Sequence, residues 1–134
     1  MTNIKILANI YILKYIDVDI KDIIMVDNNI ELYKLKAELC KTFSDPKRLI
    51  IINELRNGEK AVGDLAQDIG LSQAVVSRQL AILREKGVVK PRREGTNVYY
   101  SLTDSKIGEA CDLVHQILLS QIEKNIEFTE KLIT

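Results

Sequence analysis

Cysteine, net charge and long apolar runs are all scarce in this sequence. Two cysteines in 134 residues are too few for a secreted disulfide scaffold, so we expect a protein of the reducing cytoplasm. Nineteen basic and nineteen acidic side chains cancel, which excludes a uniformly basic coat for nucleic acid. An apolar stretch at residues 4–16 is interrupted by Lys5 and Lys14 and is shorter than the roughly 20 residues of a membrane span, so we expect no membrane contact.

The positive charge is concentrated in one part of the chain. Residues 72–103 carry six basic and two acidic side chains, whereas residues 104–134 carry three basic and six acidic ones. A run of charge is often only a solvated surface, but this concentration also suits a surface that faces a polyanion. An apolar content of 46% is enough for one domain, or one domain with an extension, to fold without disulfides or a metal.

Helical periodicity predicts two helices before residue 58. The first, at about 31–43, is indicated by apolar residues at helical spacing, namely Leu32, Leu35, Leu39 and Phe43. The second begins at Pro46, whose missing N–H costs nothing in the first turn, and Asp45 is its predicted N-cap. We expect the apolar side of the second helix to consist of Leu49, Ile50, Ile52 and Leu55.

The next segment predicts a helix-turn-helix. A short third helix with Leu65 and Ala66 facing inward is followed by a tight turn at Gly70. A fourth helix then runs from the N-cap Ser72 to Lys86. Two helices joined by a short turn that contains glycine are the signature of this motif.

The fourth helix has two contrasting sides. Its buried stripe is predicted to be Val76, Leu80 and Leu83. The opposite side carries small residues that allow close approach and polar ones that can bond to bases or phosphates: Gln73, Ala74, Ser77, Arg78 and Ala81. This composition favours a face that reads a DNA groove over an ordinary solvated face, which more often carries Glu and Lys.

A β-hairpin is predicted directly after the fourth helix. The runs 88–90 and 98–102 are rich in β-forming residues and flank a turn with Gly95. Pro91 has no N–H, so its strand should lie at a sheet edge. With arginines near its tip, this hairpin completes a winged helix-turn-helix, a mainly α fold with a β-hairpin wing.

A long last helix is predicted at about 104–132. One apolar stripe runs along it: Ile107, Cys111, Val114, Leu118, Ile122 and Ile126. At about 40 Å it is too long to be covered by so small a domain, so we expect a second chain to cover the stripe in a dimer. The predicted domains are an apolar, helical, interface-forming extension at 1–30, the DNA-binding domain at 31–103 and the dimerisation helix at 104–134.

Three ordered motifs resemble the ArsR/SmtB family of winged-helix repressors. Residues 45–49 (DPKRL) are similar to the start of that family's second helix, and residues 64–87 are similar to its helix-turn-helix. Residues 92–102 (RREGTNVYYSL) are similar to its wing. The resemblance covers about residues 31–122, and the first 30 residues lie outside it.

The resemblance implies a homodimeric repressor, not an enzyme, that dimerises through its first and last helices, binds an imperfect palindrome in double-stranded DNA and releases it on sensing an effector. By family position, one set of residues would face DNA: Ser72, Gln73, Ala74, Ser77, Arg78, Arg92, Arg93 and Thr96. Arg78 is the strongest candidate for a contact.

The resemblance also gives positions for two metal sites, and this chain lacks the metal-binding residues that either site requires. In the run 59–65, residues that cannot bind a metal replace both cysteines of the family's third-helix site. In the last-helix site Asp104 matches, but Lys106, Ile117 and Ser120 hold the other positions. Zinc needs three or four N, S or O ligands, so a single Asp cannot hold it.

Cys40, Cys111 and His115 are the remaining candidates for sensing an effector. Cys111 and His115 are four residues apart on one helix, hence on one face. In this family the helix of Cys40 packs against the last helix, so a thiol pair could sense oxidants or sulfur species, or bind a soft metal ion with His115. Both cysteines also suit a plain role as small apolar residues. No cofactor is otherwise expected.

The sequence therefore predicts a homodimeric, sequence-specific DNA-binding repressor. The alternative is a winged-helix module for protein interactions, with weak and unspecific DNA binding. An enzyme is disfavoured, since the sequence has no phosphate-binding Gly loop, no metal-ligand cluster and one histidine without a nucleophile partner.

Overall fold

A computed structural model describes residues 30–134, which form five helices and a three-stranded sheet. In chain order the elements are α1 (Ile30–Thr42), α2 (Pro46–Leu55), β1 (Lys60–Ala61), α3 (Val62–Ile69), α4 (Gln73–Glu85), β2 (Val89–Glu94), β3 (Asn97–Leu102) and α5 (Lys106–Ile133). The described part of the chain thus has the predicted mainly helical architecture with a hairpin wing. The predicted extension at 1–30 lies outside the described residues except for Ile30.

The described residues belong to two compact units, divided between Lys41 and Thr42. The first contains most of α1, a helix with Glu31 in its first turn and Lys41 in its last, charges that suit the helix dipole. The second unit contains α2 to α5 and the whole sheet. The helix-turn-helix, the wing and α5 therefore share one compact unit.

The predicted caps of α2 and α4 are both present. The Asp45 carboxylate accepts a hydrogen bond from the backbone N–H of Lys47 at 2.8 Å, and Pro46 is the first residue of α2. The Ser72 hydroxyl accepts one from the backbone N–H of Val75 at 3.2 Å. Each cap satisfies a backbone donor that the first helical turn leaves unpaired, so each fixes where its helix begins.

The core lies between α2, α3, α4 and the base of the wing. Its buried apolar residues are Ile51, Ile52, Leu55, Leu65, Ala66, Val76, Leu80, Leu83, Val88 and Val89. The prediction for α2 was partly wrong, because Leu49 and Ile50 are 40% and 46% exposed while Ile51 is fully buried. The reason is helical geometry: Ile51 and Ile52 lie four and three residues before Leu55 and share its face, whereas Leu49 and Ile50 turn away from it.

The sheet is antiparallel with strand order β1-β3-β2, so β2 lies at an edge. Pro91 is on this edge strand, as its missing N–H predicts. Gly95, in the turn between β2 and β3, has a φ of +60°, a left-handed conformation that glycine adopts without strain. The short strand β1 was not predicted from the sequence. It pairs with β3 and so joins the wing to the loop before α3.

The last helix is longer than the domain that carries it. α5 has 28 residues and spans about 42 Å at 1.5 Å per residue. Only Gly108 is buried, and only Ile107 and Cys111 pack against the core. Most of its large apolar side chains are exposed from Leu113 onward. Among residues 30–134, no helix combines the length and apolar character that crossing a membrane requires.

Candidate nucleic-acid interface

The fourth helix is fixed in place by one fully buried side and presents the other to solvent. Val76, Leu80 and Leu83 are each 0% exposed, which confirms the predicted stripe. Gly70, with a φ of +71°, ends α3 and turns the chain toward Ser72 and α4. Because three side chains are anchored in a close-packed core, the direction of the exposed side is set by the domain itself.

The exposed side of α4 has the composition that the sequence predicts. Its solvent-exposed members are Ser72, Gln73, Ala74, Ser77, Arg78 and Ala81. From residue 73 to 84 the helix contains no acidic side chain, and Glu85 is its first. Among the described residues, Arg78 has no ion-pair partner, so its guanidinium is available to an external acceptor.

A buried polar contact holds α4 to α2, and the sequence analysis missed it. Gln79 is 8% exposed and accepts a hydrogen bond at 3.2 Å from Nη1 of Arg48. The Nε of Arg48 also donates to the backbone oxygen of Thr42 at 2.6 Å. The signal was present in the spacing, since Gln79 falls between Val76 and Leu83 on the inward stripe. A polar residue at such a position needs a buried partner.

The wing arginines differ in their surroundings. Arg93 is exposed and has no ion pair among residues 30–134, and Thr96 is exposed in the turn. Arg92 is occupied: its Nε lies 3.0 Å from Oε2 of Glu59 and its Nη1 lies 2.8 Å from Oε2 of Glu94. Its guanidinium also lies 4.8 Å from the centre of the Tyr99 ring, a cation–π distance.

The ion pair between Arg92 and Glu59 shifts the pKa of both groups. Hydrogen bonds from Arg92 lower the pKa of Glu59, and hydrogen bonds to Glu59 and Glu94 raise the pKa of Arg92. All three groups are exposed, so solvent screens these interactions. At neutral pH the cluster holds one positive and two negative charges.

The candidate sensor residues lie in different surroundings. Cys40 is exposed on α1, in the first compact unit, and Cys111 is half-buried on α5, in the second. Burial raises the pKa of the Cys111 thiol and the nearby Arg56 guanidinium only partly opposes this, so little reactive thiolate is present near pH 7. His115 is exposed one turn beyond Cys111. Within residues 30–134 no three His, Cys, Asp or Glu side chains are grouped so that they could hold a metal ion.

Comparisons with known proteins agree on the family. The family model described as "Bacterial regulatory protein, arsR family" matches residues 45–90. The biofilm growth-associated repressor of Xylella fastidiosa is 40% identical over 85 residues, which are 63% of this chain and 75% of that protein.

Solved structures of related proteins share the fold. The crystal structure of Mycobacterium tuberculosis Rv0081 superposes with a TM-score of 0.65 at 36% identity, over 71% of this chain and 96% of that one. A homodimeric winged helix-turn-helix DNA-binding domain from Mycobacterium bovis superposes with a TM-score of 0.64 at 30% identity, over 72% of this chain and 90% of that one. This chain therefore belongs to the arsR family of bacterial regulatory proteins and is a winged helix-turn-helix transcriptional regulator, not an enzyme.

Proposed function

We propose that this protein is a homodimeric, sequence-specific repressor that reads an imperfect palindrome in double-stranded DNA. The observation that carries the proposal is the exposed side of α4, which is polar, sterically open and free of acidic residues. The proposed contacts on and beside α4 are Ser72, Gln73, Ala74, Ser77 and Arg78. The wing adds Arg93 and Thr96.

The electrostatics of α4 support this orientation. The N-terminus of a helix carries a partial positive charge that attracts phosphates, and no acidic side chain in the first turn of α4 cancels it. Ala74 and Ser77 are small and leave room for a base edge, while Arg78 can donate two parallel hydrogen bonds to guanine. The contacts near the helix start position the protein, and Arg78 supplies the sequence readout.

The proposed dimer follows from the uncovered apolar side of α5. A helix with Leu113, Ile117 and Leu118 half or more exposed is stabilised when a second copy covers them. A two-fold axis then places two copies of α4 in successive major grooves, about 34 Å apart. The homodimeric Mycobacterium bovis neighbour supports the dimer.

The direct test measures affinity for the DNA upstream of the protein's own gene against unrelated DNA of equal length. Arg78→Ala should weaken specific binding about tenfold or more and reduce discrimination, because a bidentate base contact is lost. Arg84→Ala is the matched control, since Arg84 is also an exposed arginine of α4 but lies in its last turn. Its effect on discrimination should be small.

Two outcomes would contradict the proposal. If Arg78→Ala and Arg84→Ala behave alike, α4 does not read sequence through Arg78. If the wild-type protein binds both DNAs weakly and equally at physiological salt, the winged-helix module for protein interactions becomes the better interpretation.

A second candidate function is release from DNA by thiol oxidation, which the exposure of Cys40 favours. An oxidant reaches an exposed thiol first, whereas Cys111 is half-buried with a raised pKa. Oxidation should lower DNA affinity, and Cys40→Ser should abolish that response. Equal affinity of the reduced and oxidised protein would leave both cysteines with structural roles only.

A further inference from the structure

The two neighbouring arginines of the wing lie on opposite faces of the sheet. Successive side chains of a strand alternate, so Arg92 and Arg93 of β2 point to different sides. Arg92 pairs with Tyr99 of β3, which in turn pairs with Ala61 of β1. Glu59 is two residues before Ala61 and therefore belongs to the same face.

Arg92 spans the full width of the sheet on that face. It starts from the edge strand β2, crosses the ring of Tyr99 on the central strand and reaches Glu59 in the loop just before β1. The fork of the guanidinium donates from Nε and Nη2 to one carboxylate, a bidentate geometry that holds both partners in a defined orientation. Glu94, two residues along β2, accepts from the remaining nitrogen.

Moving Arg92 to a phosphate would be unfavourable. Glu59 and Glu94 would lose their shared partner and remain as two negative charges close to the DNA backbone. With Arg92 in place, the cluster already has an excess of one negative charge. A phosphate contact by Arg93 would break no ion pair, since Arg93 has none among the described residues.

We propose that Arg92 is a positioning residue that braces the wing against the loop before β1, and that Arg93 alone of the two contacts a DNA phosphate. This proposal rests on the DNA-binding function proposed above. It departs from the family-based expectation that both arginines grip the backbone. Arg92 acts through Glu59 and Tyr99, so its role depends on the shape of its side chain as well as its charge.

Charge-conserving variants separate the two roles. Lysine binds a phosphate as a point charge, but it cannot replace a bidentate guanidinium stacked on a ring. Arg93→Lys should therefore keep wild-type affinity, while Arg93→Gln lowers it and reduces the slope of log affinity against log salt by about 0.9 per protomer, hence by about 1.8 for the proposed dimer. Arg92→Lys and Arg92→Gln should each lower affinity by no more than about fivefold, because an exposed ion-pair network contributes little free energy. Neither variant should change the slope of log affinity against log salt.

Amide hydrogen exchange in the free protein tests the brace without DNA. Arg92→Lys should speed exchange in β1 and β3, where strand pairing depends on the wing's attachment, and Arg93→Lys should not. Thermal unfolding of each variant shows whether a loss of affinity comes from global instability. Unchanged exchange in Arg92→Lys would overturn the brace, whatever the DNA result.

The salt titration decides between the two arginines. If Arg92→Lys keeps full affinity while Arg92→Gln lowers the salt slope of the dimer by about 1.8, Arg92 is itself a phosphate contact and the proposal is wrong. Failure of the wild-type protein to bind its upstream DNA would refute the proposed function and, with it, the phosphate contact of Arg93. The exchange comparison would then still decide whether Arg92 braces the wing.

Discussion

The two ends of the second compact unit, α4 and the distal part of α5, use similar apolar residues in opposite ways. In α4 the stripe of Val76, Leu80 and Leu83 is completely buried by α2, α3 and the base of the wing. In α5 Leu118 is 51% exposed and Ile126 is 52% exposed. The difference shows that the reading helix is stabilised within one chain, while α5 offers an apolar surface that a single copy leaves uncovered.

The largest expected effect on stability comes from a truncation in the buried stripe of α4. Leu80→Ala should lower the free energy of unfolding by about 2–5 kcal/mol, because it leaves a cavity beneath α4. Urea unfolding at several protein concentrations measures it. Leu118→Ala, the same truncation on α5, is the control. Its effect should shrink as the protein is diluted, since it acts through association. Equal, concentration-independent losses would remove the distinction between the two ends.

A charge on the exposed apolar side of α5 should weaken dimerisation without lowering the stability of the domain itself. Leu118→Glu places a carboxylate in the proposed dimer interface, where it has no partner, and should weaken dimerisation by about tenfold or more. Sedimentation velocity over a dilution series measures this shift. Gln121→Glu adds the same charge at an exposed polar position of α5 and should have a smaller effect. A wild-type protein that is monomeric at all concentrations would contradict the proposed interface.

The smallest expected effect concerns the ion pair that links α5 to the end of α2. Both terminal nitrogens of Arg56, just after α2, donate to the carboxylate of Asp112 on α5, at 2.6 and 2.8 Å. Hydrogen bonds from Arg56 lower the pKa of Asp112 below its ordinary value of 3.8. The pair therefore contributes stability above the ordinary value, and this contribution is lost as pH falls through the lowered one.

Unfolding curves between pH 7 and pH 2 check this link. Asp112→Asn should be less stable than wild type at pH 7, and the two proteins should converge as the carboxylate becomes protonated. The effect should be modest because Asp112 is half exposed and salt screens the pair. A gap that stays constant over the whole pH range would show that the ionised carboxylate is not responsible.

The helix-turn-helix was predictable because its signals are local. Asp45 and Ser72 cap the helices that they were expected to cap, and the glycine turn lies at Gly70. The inward stripe of α4 follows from helical spacing alone. The exposed side of that helix was equally predictable, because burying one side determines the other.

The errors and omissions occur where the answer depends on distant residues. The sequence predicts Leu49 and Ile50 on the apolar side of α2, but the rotation of α2 about its axis is set by what packs against Ile51 and Leu55. Strand β1 is only two residues long and has no periodicity to detect. The contact between Arg48 and Gln79 joins residues 31 positions apart: helical spacing indicates that Gln79 is buried, but no local pattern identifies its partner.

The sequence by itself determined the order of the elements, their caps and turns, and the polar side of α4, because each depends on residues within a few positions of one another. Tertiary structure decided how the two wing arginines differ. Arg92 and Arg93 are adjacent and chemically identical, yet only Arg92 meets Glu59, which lies 33 positions earlier. Strand pairing brings those residues together, and the alternation of side chains along β2 leaves Arg93 on the other face.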